Sequence, residues 1–495
     1  MTIEEQCDKY TITTAEISAE LKELRRICVP IVATNLVSYL KGMVSVACMG
    51  RLGPRELAGG SLAVGLTNIT GLSILSGISL ALDPICSQAS GSGNPSLAVS
   101  ALRRTMLLLL IVSLPIAALW FSLRSILILF LRLDPAVAAI AHSYVLSSLP
   151  SLLTSSLLLP IRSYLRSLSR PLPFAAASTI SSLALHLPLA PYLSSLRLGI
   201  SGIALSSSVS DLATLLLLAV YFFRPQNQSF KPSATAADVD DHAYLHLKPP
   251  PPPPPPTPRP PPPPPSSDTW SPLLHLAIPS CLAVCLEWWW YELIMTIAAG
   301  YLTDPQSSLA AAGIVIQTTA LLYTLPATLS AAASARVGKE LGAGRPARAR
   351  AAAAIAMAVS LLASCFSFAW ATLGREAWAR VFTSDSDVLR MTRVALPVIG
   401  LCELGNCPQT VGCGVLRGCA RPAIGAAINL YSFYLVGAPV AILLAFGLNV
   451  GFIGLCFGLM SAQIICAVSI FAATWWIDWD LEAQKAINLV GRNRA

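Results

Sequence analysis

The sequence predicts an all-α polytopic membrane protein, with twelve transmembrane helices in two parallel six-helix bundles related by a pseudo-twofold axis. Three observations predict it. Hydrophobic residues make up 54% of the 495 residues, charged residues only 12%, and the mean hydropathy is +0.65. A soluble domain carries roughly 25% charged residues, so water is not the solvent for most of this surface. Twelve stretches are long and apolar enough to cross a bilayer, and the two halves of the chain repeat each other.

A hydrocarbon core about 30 Å thick needs roughly 20 mostly apolar residues per helix. Such stretches lie at 28–50, 60–83, 102–124, 136–158, 172–194, 199–223, 271–299, 309–333, 351–373, 387–410, 422–446 and 450–474. The fourth to sixth are rich in Ser and Pro, and Pro150 and Pro188 fit there only where neighbouring helices satisfy the freed carbonyls. The first 27 residues are polar, with Glu4, Glu5, Lys22, Arg25 and Arg26, so no cleaved signal peptide is expected and the first span does the targeting.

An even number of spans puts both termini on one side. The termini and the even-numbered loops, counted with Arg103 and Arg104 at the start of the third span, hold 23 of the 33 Lys and Arg, which places that side in the cytoplasm. Arg345, Arg348 and Arg350 after the eighth span are the clearest marker. The net charge of +8 is split between two membrane faces and implies no nucleic-acid partner. The 13 cysteines include no CxxC pair and lie mostly in apolar runs, as Cys48, Cys281, Cys285, Cys365 and Cys466 do. They read as packing residues, and neither a disulfide framework nor a metal site is expected.

The domain organisation follows. Residues 1–27 form a cytoplasmic N-terminal segment, 28–223 the first bundle, 224–270 a cytoplasmic proline-rich linker, 271–474 the second bundle and 475–495 a cytoplasmic tail. Within the linker, Pro249 to Pro256 and Pro260 to Pro265 are uninterrupted proline runs that adopt extended polyproline II. Residues 249–265 read either as a ligand for a proline-binding domain or as a stiff spacer.

The repeat has a register near 251 residues. Gly91-Ser92-Gly93-Asn94-Pro95 matches Gly342-Ala343-Gly344-Arg345-Pro346. Asp134 matches Asp385, Val137 matches Val388, and Leu165-Arg166 with Arg170-Pro171 match Leu416-Arg417 with Arg421-Pro422. One inserted residue brings Gly199 and Gly202 onto Gly451 and Gly454. An offset of six spans gives two halves that cross in the same sense. Such parallel repeats are found in secondary transporters, with a cavity at the repeat interface.

Several segments then carry a family resemblance. They are Met49-Gly50-Arg51-Leu52-Gly53 with Glu56 to Ala63; Asp83-Pro84-Ile85-Cys86-Ser87-Gln88-Ala89; Cys285-Leu286-Glu287-Trp288-Trp289; Arg336 to Pro346; and Cys402 to Thr410 with Gly414-Val415-Leu416-Arg417-Gly418. Together they resemble the signatures of the plant multidrug and toxic compound extrusion (MATE) family, over roughly residues 20–480 apart from the linker. Ser87, Ser90 and Ser92 depart from the family pattern at the second helix exit. The resemblance implies the MATE fold and no enzyme activity. It implies an exporter of small organic solutes coupled to protons, with sodium as the alternative ion, and no bound cofactor. A monomer in the lipid bilayer is expected, in the plasma membrane, vacuole, Golgi or late endosome.

A charge at mid-membrane costs about 2.5–3.5 kcal/mol on insertion scales, which makes Lys41, Asp211, Glu287, Glu292 and Glu403 functional candidates. Glu287 lies roughly 20–24 Å deep in the seventh span at about 1.5 Å per residue, and Glu403 lies near the middle of the tenth. Removing a carboxyl from water disfavours its charged form, and a second carboxylate nearby disfavours it further. The pair is the candidate site of proton coupling. The resemblance implies a coupling acid on the tenth helix, often where Asn406 stands, and Glu403 is three residues earlier on the same face. Glu292 is expected to face an interface or a neighbouring helix. Asp211 pairs either with Lys41 or with helix hydroxyls such as Ser208.

Lys41, Tyr291, Gln317 and Asn429 are candidate substrate-cavity residues. Some bacterial relatives carry an acid farther along the first helix, where Ser45, Val46 and Ala47 stand here, so the resemblance implies no first-half cation site, and Lys41 lies before that stretch. It either attracts an anionic substrate or locks against a carboxylate. Of Trp288, Trp289 and Trp290, at most two can line a cavity, because three successive residues point in three directions. Trp475, Trp476 and Trp479 read as an interfacial belt, and His186 as a helix–helix hydrogen-bonding group. Gly91, Gly93, Gly342 and Gly344 read as loop glycines, and Gly338-Lys339 lacks the spacing of a nucleotide loop. Two rivals to antiport are a major-facilitator-type transporter, although Gln88 to Arg104 lacks its Asp-Arg pair, and an endomembrane scaffold or sensor acting through the proline-rich loop.

Overall fold

The computed structural model describes residues 13–129, 134–223 and 270–491. The proline runs of 249–265 and the outermost residues of both termini lie outside the described residues. The chain forms α1 (Thr14–Leu52), α2 (Arg55–Ser92), α3 (Pro95–Phe121), α4 (Pro135–Ser147 continued by Leu149–Ser167), α5 (Leu172–Leu196), α6 (Gly199–Phe223), α7 (Trp270–Tyr301), α8 (Pro305–Gly342), α9 (Pro346–Leu373), α10 (Ser386–Gly418), α11 (Pro422–Gly447), α12 (Phe452–Trp475) and a final short α13 (Trp479–Val490). Ten of these helices, and α4 taken as one span bent by 45°, are long and apolar enough to cross a membrane. The twelfth rod, α10, is 33 residues long. It is more polar because it carries Asp387, Arg390, Arg393, Glu403 and Arg417.

Local chemistry sets the helix starts. Asn94, Asp134, Asp304, Asp385 and Asp478 each stand just before a helix and accept a hydrogen bond from an amide of its first turn. This satisfies a donor that the helix itself leaves open. In four of these helices or their repeat counterparts proline follows at once, as Pro95, Pro135, Pro305 and Pro346 do. Its missing N–H costs nothing there.

The repeat is visible in the backbone. Gly93 and Gly344, 251 positions apart, both take left-handed φ, 75° and 73°. So do Ser169 and Ala420, again 251 apart, at 56° and 58°. Each half has its own apolar core. The halves also exchange contacts. The start of α7, at Leu273, Leu276 and Ala277, joins the first core, while Leu24, Ile27 and Ile31 of α1 pack on Ala331 and Ala332 of α8.

α1 begins 14 residues before the predicted span. Thr13 and Glu16 form a reciprocal capping box, and the added turns dock through an ion pair of Glu20 with Arg336 at 2.7 Å. These turns are held by that ion pair and by the packing of Leu24 and Ile27, too few apolar residues for a hydropathy window to register. Two of the four glycines read as loop residues belong instead to helix crossings. A Cβ on Gly91 would lie 1.9 Å from the Lys339 carbonyl oxygen, and one on Gly342 would lie 2.1 Å from that of Gln88. Lys339 is itself 251 positions from Gln88, so the two contacts are repeat images of each other across the seam.

Candidate functional site

The second bundle holds the two predicted acids. Glu403 sits within α10, only 1% exposed. Asn406, one turn on, donates from Nδ2 to both of its carboxylate oxygens at 3.1 Å, and the Cys407 thiol lies 3.7 Å from Oε2. Thr410 extends this row by donating to Asn406 Oδ1 at 3.4 Å. The i, i+3 and i, i+4 spacing puts all four on one face of α10. Glu287 reaches the same region from α7, and the two carboxylates interact electrostatically. Tyr291 and Tyr323 lie within electrostatic range of both acids. Glu287, Glu403, Asn406 and Tyr291 therefore come together, and Tyr323 of α8 joins them. Tyr323 escaped the sequence reading because an aromatic hydroxyl inside an apolar run gives no charge signal.

Of the other cavity candidates, Asn429 bonds the same helix as Glu287, whereas Lys41 lies in the first bundle. Asn429 is buried and ties α11 to α7, donating to the Ala283 carbonyl at 3.0 Å while accepting the Cys466 thiol. Gln317 lies half-buried on α8. Lys41 belongs to the first bundle, where its Nζ meets Asp211 of α6 at 2.7 Å. Ser151 of α4 donates to the second oxygen of the same carboxylate at 2.5 Å. Of the two expectations for Lys41, the geometry shows the lock. His186 stands between Ser45 and Ser206, each 3.2 Å from one ring nitrogen. It links α1, α5 and α6.

The aromatic run after Glu287 is mostly structural. The Trp289 indole donates to the Ile69 carbonyl at 3.1 Å, and the fully buried Trp290 donates to the Phe433 carbonyl at 2.9 Å. Glu292 points at α2, where a Cβ on Gly65 would lie 3.2 Å from its carboxylate. Trp475 and Trp476 are 72% and 82% exposed, as an interfacial belt requires.

The seam between halves is closed at the end where α1 begins and α13 lies. There Asn94, after α2, donates to the Val490 carbonyl at 3.2 Å. Asp83 of α2 pairs with Arg166 of α4 at 2.7 Å and with Arg417 of α10 at 3.2 Å, while Gln88 donates to the Gly418 carbonyl at 3.0 Å. Sequence reasoning missed this cluster. Asp83 stood at the predicted edge of a span, and its partners lie 83 and 334 positions away.

Comparison with known proteins matches this geometry to a family. The MatE family model matches residues 30–192 and 279–443. The chain is 48% identical over 486 residues to the Arabidopsis thaliana protein DETOXIFICATION 55, covering 98% of this chain and 94% of that one. It is 44% identical to DETOXIFICATION 51 of the same organism over 476 residues, covering 96% and 84%. The crystal structure of the eukaryotic MATE transporter AtDTX14 superposes with a TM-score of 0.83 at 28% identity, covering 96% of this chain and all of that one.

Proposed function

This chain belongs to the MatE family of multi-pass membrane transporters of the multidrug and toxic-compound efflux type, and from that premise we propose that it is a secondary active antiporter, exporting organic solutes in exchange for protons by alternating access. Membership in this family sets aside the major-facilitator reading.

The observation that carries the proposal is the placement of Glu287 and Glu403 inside one membrane-spanning bundle. Glu403 of α10 is buried and held by Asn406, and Glu287 of α7, half-buried, lies within electrostatic range of it. Acids placed inside the membrane in this way mark proton relays. Protonation removes the repulsion between them and frees the helices that carry them to adopt the alternative packing. Moving one charge through 100 mV is worth about 2.3 kcal/mol, and one pH unit adds about 1.4 kcal/mol. Together they sustain roughly several-hundred-fold accumulation. With both termini in the cytoplasm, as the distribution of Lys and Arg implies, the seam closed by Asp83 is the cytoplasmic gate.

The test is solute efflux from proteoliposomes containing the full chain, with one organic cation and one organic anion as probes. Antiport predicts efflux that accelerates under an imposed pH gradient and stops when a protonophore collapses it. Flux of either probe that ignores the gradient contradicts proton coupling.

A further inference from the structure

Three arginines converge around a single carboxylate near the closed seam. Asp83 is taken by Arg166 and Arg417. The third, Arg162, stands one turn before Arg166 on α4 and feels both Arg166 and Asp83 electrostatically. Among the described residues it has no acid within ion-pair distance. Its Nη2 donates to Asn35 Oδ1 at 2.6 Å, and its guanidinium lies 6.0 Å from the centre of the Phe174 ring. A guanidinium presents five N–H donors in a planar fork, so most of its donors have no protein acceptor. Arg162 and Arg166 line a small open pocket with Thr34 on its polar side and Ile31, Pro171 and Phe174 on its apolar side.

Charge and shape point the same way. Three guanidinium groups against one carboxylate leave a surplus of two positive charges, with Arg166 and Arg417 largely buried and Arg162 half-buried. Uncompensated charge of this kind is costly. The planar fork of Arg matches the two oxygens of a carboxylate or phosphate. We propose that this pocket between α1, α4 and α5 is a binding site for an oxyanion, a carboxylate or phosphate group. Its charge pairs with Arg162 at the pocket's mouth, because the interior holds only about 10 Å³, room for about one water molecule. The site is separate from the acid pair and does not depend on proton coupling. Asn35, which accepts from Arg162, also donates to Thr328 Oγ1 of the other half at 3.1 Å. An oxyanion that orders Arg162 therefore also supports the closed seam.

The oxyanion has two sources, a free organic acid or the phosphate of an anionic lipid. The test uses the full chain in phosphatidylcholine nanodiscs, with and without phosphatidylglycerol. Thermal unfolding is followed by tryptophan fluorescence, with benzoate as the soluble probe against equal chloride. The wild type is expected to gain a saturable rise in melting temperature, from benzoate if the source is a free acid or from phosphatidylglycerol if it is lipid. Arg162→Gln should abolish the rise. Arg162→Lys, which keeps the charge but not the fork, should weaken the apparent affinity at least tenfold, and it serves alone if Arg162→Gln does not fold. No rise with either ligand, or the same response in wild type and Arg162→Lys, overturns the proposal.

Discussion

Arg166 and Arg417, 251 positions apart and in opposite halves, both reach Asp83 Oδ2, at 2.7 and 3.2 Å. The position that repeats Asp83 in the second half is Ser334, so one acid serves both arginines. It is 1% exposed. Breaking a buried pair by removing one partner leaves uncompensated charge, at a cost of about 3–5 kcal/mol. Asp83→Asn is therefore expected to lower thermal stability markedly. It should also open the seam, raising the rate at which the fully buried Cys86 is labelled by a maleimide. Unchanged labelling of Cys86, read by mass spectrometry, would show that the seam does not depend on Asp83.

The same seam depends on close backbone approach. A Cβ on Gly91 would lie 1.9 Å from the Lys339 carbonyl oxygen, and backbone cannot yield as a flexible side chain can. Gly91→Ala is expected to force α2 and α8 apart, costing about 1–3 kcal/mol as overpacking does, and to slow transport by disfavouring the closed arrangement. Wild-type melting temperature and transport rate in the variant would refute this reading.

Most of the helical frame was legible because apolar length is a physical requirement of the bilayer. The predicted limits at 199–223 and 422–446 fall within one residue of α6 and α11. The relation of Glu403 to Asn406 was legible from helical spacing. Other features were hidden for specific reasons. α4 runs nine residues past its predicted end because Arg162 and Arg166 continue the helix into a polar seam, where a hydropathy window sees only a loop. Asp83, Arg166 and Arg417 meet through three helices and both halves, which no local pattern encodes. The pairing of Lys41 with Asp211 was one of two options in the sequence, and the 2.7 Å contact selects it.

Lys41 and Asp211 form a partly buried pair, 16% and 22% exposed in their side chains. Each single change, Lys41→Met or Asp211→Leu, strands the other charge, and each is expected to destabilise by a few kcal/mol, at or somewhat below the ~3–5 kcal/mol seen when buried pairs are broken. The double variant should recover much of that loss, because apolar replacement of a buried pair is often neutral. A double-mutant cycle on thermal unfolding with a coupling energy near zero would show that the contact does no structural work.

If the two bundles alone carry transport, the proline runs are dispensable for it. Deleting residues 249–265 is expected to leave proteoliposome flux within about twofold of the wild type, since a spacer of this kind contributes reach rather than packing. Abolished flux in a deletion variant that still folds would favour the scaffold or sensor reading of that segment.

The central claim is that the carboxyl groups of Glu287 and Glu403 carry the coupling proton. Proton-driven efflux from proteoliposomes should fall at least tenfold in Glu287→Gln and in Glu403→Gln, while each variant keeps the wild-type melting temperature within a few degrees. Full gradient-driven efflux in either variant would remove that residue from the coupling mechanism, and full efflux in both would contradict the account.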